Sequence, residues 1–264
     1  MKGFLIGLFL LIPGSLLATP LSETKETITT KITSKSKKPI IFGHNLGVTT
    51  QTLNRGDVTL GNFVAGVGVT DNFTIATSPW LLNSYNMYSL VSRYRYAIQD
   101  NLSLGWQMVY FKTDTFYPNI YQMEAISNSV TLGFQINPIY QFNLTVNHSF
   151  FWDETIPYSL RLEPFTDDPY QFSISTLQVI EILENYGASI ELGVLGANYK
   201  YPYAHAGLSI HYMTTSWLMQ FGISASAIAG TFDVYTQTQA QATIDEPNAV
   251  ATVIHPEIHI QYFF

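Results

Sequence analysis

The chain has 264 residues, of which 47% are hydrophobic and only 12% charged, with a net charge of −7 and no cysteine. The charged share is about half that of an ordinary soluble domain. The missing cysteine excludes a disulfide scaffold and thiolate chemistry. The acidic balance argues against nucleic acid as a partner: past residue 38 the basic side chains are only Arg55, Arg93, Arg95, Lys112, Arg161 and Lys200, with no basic stripe. Aromatics reach 14%, with 17 Tyr and 17 Phe, and such rings concentrate where an apolar body and a polar tip are both accommodated.

The first 18 residues read as a secretory signal peptide: Lys2 supplies the positive start, Phe4 to Ile12 the apolar run, and Ser15-Leu16-Leu17-Ala18 small residues for cleavage after Ala18. That run is too short to span a bilayer as an anchor. Residues 19–38, rich in Ser, Thr and Lys, read as a disordered periplasmic lead-in. From residue 39 to 264 one unit recurs, a strand of about ten residues followed by a turn.

The expected strands are approximately 40–50, 57–69, 73–80, 86–98, 102–112, 122–136, 140–152, 171–183, 187–196, 203–213, 217–228 and 249–264. Twelve is an even count, with ten or fourteen as alternatives. Thr70-Asp71-Asn72, Gln99-Asp100-Asn101 and Asn137-Pro138 are tight-turn chemistry. Val69 to Ile75 and Ile98 to Leu104 are near copies, which places their turns on one rim. The longer connections 113–121, 153–170 and 229–248 then share the opposite rim, and the last is long enough to fold into the bore. Pro256 is expected to mark a bulge, because a closed barrel has no edge to spare a missing N–H.

Alternation is cleanest in the middle of the chain. Leu102, Leu104, Trp106, Met108 and Tyr110 oppose Ser103, Gly105 and Gln107; Tyr140, Phe142, Leu144 and Val146 oppose Gln141, Asn143, Thr145 and Asn147. A soluble sandwich would place Lys and Glu on its wet face. Here the polar face is small and uncharged, which fits a barrel with a polar lumen and an apolar exterior.

The chain ends Pro256-Glu257-Ile258-His259-Ile260-Gln261-Tyr262-Phe263-Phe264. Ile258, Ile260, Tyr262 and Phe264 share one face of a strand, and Glu257, His259, Gln261 and Phe263 the other. This resembles the C-terminal strand of a bacterial outer-membrane β-barrel. The resemblance implies an all-β, closed, antiparallel up-and-down barrel in the outer membrane, with both termini periplasmic. It also implies outer-membrane lipid and lipopolysaccharide as surroundings, and recognition of that terminal outward row by the barrel-assembly machinery.

With the apolar face outward, the inward candidates are Arg93, Arg95, Glu191, His205, His211, His255, Glu257, His259 and Gln261. The first reading is a passive channel for small polar solutes, because fixed charges inside low-dielectric walls focus their field. The plainer reading of Arg93 and Arg95 is pairing with Glu191 or Glu257 to hold the barrel's shape.

A metal site is disfavoured. His255 and His259 lie two same-face steps apart, each roughly 6.5–7 Å, too far for one ion with bonds of ~2.0–2.1 Å. His205 or His211 would have to reach across a lateral gap of about 10 Å. No cofactor is expected. A lipid-modifying hydrolase is the third reading. His148 and Ser149 point apart by parity, so the pairs left are His205 with Ser209 or Ser224. A non-conducting barrel that binds a partner through its long loops is the remaining alternative. Asn143-Leu144-Thr145 matches a glycosylation sequon by coincidence, and Gly61, Gly66 and Gly68 are strand glycines or a bulge, with no helix to make a phosphate loop.

Overall fold

The structure is a computed structural model. It describes residues 47–85, 87–113, 124–152, 170–198, 202–229 and 250–264. The expected signal peptide, the lead-in and the body of each long connection lie outside these residues. The strands are β1 (Val58–Gly61), β2 (Ala65–Thr70), β3 (Phe73–Thr77), β4 (Met87–Gln99), β5 (Leu102–Thr113) and β6 (Glu124–Asn137). They continue as β7 (Tyr140–Phe151), β8 (Tyr170–Leu183), β9 (Tyr186–Leu195), β10 (Tyr203–Met213), β11 (Trp217–Ala229) and β12 (Val250–Phe263). One helix, α1 (Pro79–Tyr85), lies between β3 and β4. Every neighbouring pair is antiparallel and the sheet closes on itself through β1 and β12. This is the expected all-β, twelve-stranded, up-and-down barrel.

The two faces are inverted relative to a water-soluble fold. On β8, Gln171, Ser173 and Ser175 are buried inside while Tyr170, Phe172 and Ile174 are exposed outside. On β10, His205, Ser209 and His211 are buried while Leu208 and Ile210 are 53% and 63% exposed. Hydroxyl rungs hold the polar interior together: Thr131 to Thr145 at 3.0 Å, Ser149 to Ser127 at 3.0 Å and Ser189 to Ser209 at 2.6 Å. Each rung satisfies two groups that burial would otherwise leave bare. A small apolar cluster, Leu177, Val179, Met213 and Leu218, also faces inward, with Phe263 against it. The alternation pattern did not announce it.

The turns β2–β3, β4–β5, β6–β7 and β8–β9 share one construction. A two-residue loop closes each hairpin, and the incoming strand carries one extra residue just before it. The extra residues are Val69, Ile98, Ile136 and Ile182, all aliphatic and all exposed. A bulge at a barrel rim adds local twist. The β10–β11 turn is built differently, with Thr214 Oγ1 accepting the N–H groups of Ser216 and Trp217 at 3.2 and 2.9 Å.

Four expectations need correction. Residues 47–50 of the first expected strand are not in the wall. They lie inside the barrel, and 40–46 are outside the described residues. The expected strand 57–69 is two strands, broken at Asn62 to Val64, so the count of twelve survives by exchange of one strand for another. The expected strand 73–80 stops at Thr77. Ser78 then accepts the N–H of Leu81 on its hydroxyl, and Pro79 takes the first helical position, a helix start rather than a strand end. Pro256 marks no bulge: its register with β11 runs unbroken through Ile223. The N–H and C=O of Ile258 and Ile260 point toward β1, so by parity the missing N–H of Pro256 points the same way, beyond the last residue of β1.

Candidate functional site: a chain segment seated in the lumen

Residues 47–54 run along the inside of the barrel, from mid-wall to the rim that carries the short turns. Gly47 N donates to Glu191 Oε1 at 2.6 Å, from the middle of β9. The carbonyl of Val48 accepts Thr145 Oγ1 of β7 at 3.5 Å, and that of Thr49 accepts Arg93 Nη2 of β4 at 2.6 Å. Thr50 Oγ1 meets Ser103 Oγ of β5 at 2.6 Å, and Gln51 approaches Gln141 of β7 at 3.5 Å. Leu53 N donates to Thr74 Oγ1 of β3 at 2.9 Å. Near the rim, Thr52 Oγ1 and Arg55 N bond to Asp71 of the β2–β3 turn, and Asn54 bonds to Asp57.

The fit depends on missing side chains. A Cβ on Gly47 would sit 2.9 Å from the Cβ of Leu177 and 3.5 Å from the Glu191 carboxyl. Cβ atoms on Gly105 and Gly133 would come within 3.1 and 2.8 Å of Thr50. Gly56, exposed and at a φ of 86°, makes the turn that leads from the lumen into β1. A small cavity of about 10 Å³ lies beside the segment, lined by Val48, Thr49, Thr50, Arg93, Gln107 and Thr131 and, on the wall, by Tyr94, Gly105 and Trp106, the space of about one water molecule.

The candidates named from sequence are placed as follows. Arg93 is buried against the segment, and Arg95, the next inward residue on β4, is half-buried. Glu191 Oε1 lies 3.8 Å from His205 Nε2. Arg93 contacts the main-chain carbonyl of Thr49. Glu257 accepts Ser224 Oγ at 2.7 Å. His211 lies against Gly187, where any Cβ would meet its ring. His259 packs against Phe63 with tilted rings 4.4 Å apart, and Gln261 donates to Thr59 Oγ1 at 2.6 Å across the β12–β1 closure. The side chain of His255 lies outside the described residues. Ile258, Ile260 and Phe264 are exposed on the outside, with Tyr262 half-buried beside Trp217 and Phe264.

The serine expected beside His205 is a different one. Ser209 bonds to Ser189 and Ser224 to Glu257, while Ser226 Oγ lies 2.9 Å from His205 Nδ1. Register decides this: Ser226 is directly opposite His205 on β11. Glu191, His205 and Ser226 thus stand in the order of a nucleophile relay. Two features weaken it. The Glu191 carboxylate is engaged by Gly47, and β11 pairs along its length with β10 and β12, which occupies the amides an oxyanion would need. His148 stacks outward on Phe172 at 4.6 Å while Ser149 bonds inward to Ser127, so that pair does point apart. Among the described residues no cluster of three or more His, Asp and Glu is spaced to hold a metal ion.

No protein-family model matches the chain, and no curated protein matches its sequence.

Proposed function

We propose that this protein is an outer-membrane barrel closed at rest: a channel for small polar solutes whose bore is shut by its own residues 47–54. The seating of that segment carries the reading. An open aqueous bore would leave inward polar side chains wet, yet Glu191, Asn143, Gln220 and Ser189 are all fully buried. The apolar cluster of Leu177, Val179, Met213 and Leu218 adds a dry plug to the same interior.

The membrane assignment rests on the inverted faces and on rings gathered outside at both ends of the wall. His148, Phe150, Trp152, Tyr170 and Phe172 group toward the long connections, and Trp217, Tyr262 and Phe264 toward the short turns. Such girdles belong to membrane interfaces. Leu208, outward in the middle of β10, tests it. Leu208→Arg is expected to cost about 2–4 kcal/mol of folding free energy in lipid vesicles. A change within about 0.5 kcal/mol, as for an exposed site facing water, would remove the membrane from the reading.

Conductance in planar bilayers tests the closure. The unmodified protein is expected to give no discrete steps, and Gly47→Val, which drives the segment off Leu177 and Glu191, is expected to give them. Steady steps from the unmodified protein would mean an open pore. Silence from both would replace the channel with a non-conducting barrel that acts through its long connections.

The alignment of Glu191, His205 and Ser226 favours hydrolysis as a second reading. A fluorophosphonate probe that labels Ser226, with labelling lost in His205→Ala, would support it; an unlabelled Ser226 removes it.

A further inference from the structure

The wall holds residues 47–54 chiefly by their main chain. Gly47 N, Val48 O, Thr49 O and Leu53 N are each met by a side chain of the wall. Those side chains, Glu191, Thr145, Arg93 and Thr74, come from four different strands and are all at least nine-tenths buried. A carboxylate faces an N–H, a guanidinium faces a carbonyl, and a hydroxyl serves each. That is the complement of a peptide main chain, and the charged members make the stronger bonds. A solute pathway needs no such set. Side chains are read most closely at two places: the Gly47 subsite admits no Cβ without moving Leu177, and Thr50 fits between Gly105 and Gly133 with its hydroxyl on Ser103; Gln51 and Thr52 add looser contacts to Gln141 and to Asp71 at the rim.

We infer that the lumen is a binding site for peptides of the pattern Gly-x-x-Thr, and that residues 47–54 occupy it as a tethered ligand in cis. The inference rests on the reading that this segment can leave the lumen. A peptide added in trans then takes the same four wall groups. Glu191 selects a free N–H at the glycine, and Arg93 selects the carbonyl two residues on.

The test is peptide binding by fluorescence anisotropy, which does not depend on conductance. The probe is a dye-labelled, end-blocked peptide of residues 47–54, Gly-Val-Thr-Thr-Gln-Thr-Leu-Asn. It is offered to full-length protein carrying Gly47→Val and Thr50→Tyr, both too large for their subsites. Saturable binding to the variant and none to the unmodified protein is expected. A peptide with N-methylglycine at the first position loses the N–H that Glu191 accepts and is expected to bind about tenfold more weakly or worse.

Equal binding of a scrambled peptide, or no binding to a variant that shows the heat-modifiable band of a folded barrel, overturns the inference. Should the variant not fold, the same peptide is offered to unmodified protein nicked at the exposed Arg55–Gly56 bond. Uptake there supports the site and absence of uptake overturns it. Failure of the channel reading would appear separately, as silence in the bilayer with peptide binding intact.

Discussion

The arc from β4 to β12 and the arc from β1 to β3 close the same barrel by different chemistry. On the long arc each strand runs for 10 to 14 residues and pairs with its neighbours through unbroken or once-bulged ladders. On the short arc the strands have 4 to 6 residues, β1 is in register with β12 over Thr59 to Gly61 with one main-chain bond beyond at each end, and side chains take over where the ladder stops. Asn62 Nδ2 donates to Ile258 O at 2.7 Å and its Oδ1 accepts Ile260 N at 2.9 Å, so one amide group continues the strand by imitation. Thr77 and Ser78 do the same for Ser89 of β4. Backbone ladders are cooperative and tolerant of side-chain change; a seam held by single side chains is not. The short arc is also where the seated segment turns into the wall, through Gly56 N to Gly68 O and Gly68 N to Asp57 O. The weakest part of the wall and the exit of the plug are therefore one place.

The largest expected effect breaks that place. Gly68→Val sets a side chain against the carbonyl of Asn54, which is main chain and cannot swing away. A loss of more than about 4 kcal/mol is expected, read as disappearance of the heat-modifiable folded band on gels. A variant that folds normally would show that the 54–57 turn is not fixed to β2.

A matched pair of asparagines sharpens the comparison. Asn62→Ala leaves an N–H and a C=O of β12 without their partner, and each such group costs about 1–3 kcal/mol, more where lipid replaces water. Asn143→Ala on the long arc removes bonds to Leu177 O and from Gln141 Nε2 but leaves the ladder whole. A loss of about 2–4 kcal/mol against about 1–2 is expected, measured by urea titration in lipid vesicles. Equal losses would mean that the seam is no weaker than the ladder.

The smallest effect belongs to Pro256→Ala. The restored N–H points past β1 and away from β11 and has no ladder partner there, so a loss of about 1 kcal/mol, the low end for an unpaired donor, is expected. A clear gain in the same titration would show that the N–H finds a partner there.

Much of the wall was legible from local pattern. The long strands β4 to β11 lie within a few residues of their expected ranges, because period-two alternation over ten or more residues identifies a strand and its inward face together. The duplicated turn was legible too, although Ile136 and Ile182 extend the repeat beyond the copies first recognised. The short arc was misread for a physical reason. Asp57 to Val69 carries apolar residues at both ends and reads as one strand by pattern, although Gly61-Asn62 is a turn dipeptide and marks the observed break. Ser78-Pro79 is itself a helix-start signal, and it ends β3 at Thr77.

The candidate site divides in the same way. Arg93, Glu191, His205, Glu257 and Gln261 were found as inward residues by parity alone. Their partners were not, because Ser226, Gly47 and Thr49 are joined to them only by register and by the path of the segment. Sequence by itself determined the architecture, the inverted faces and the rim turns, since each depends on neighbours within one strand or hairpin. Only the tertiary structure decided that residues 47–54 sit inside rather than in the wall. Extended, β-prone chain fits either position. What places it is contact with residues from seven strands, the most distant of them Glu191, 144 positions along the chain.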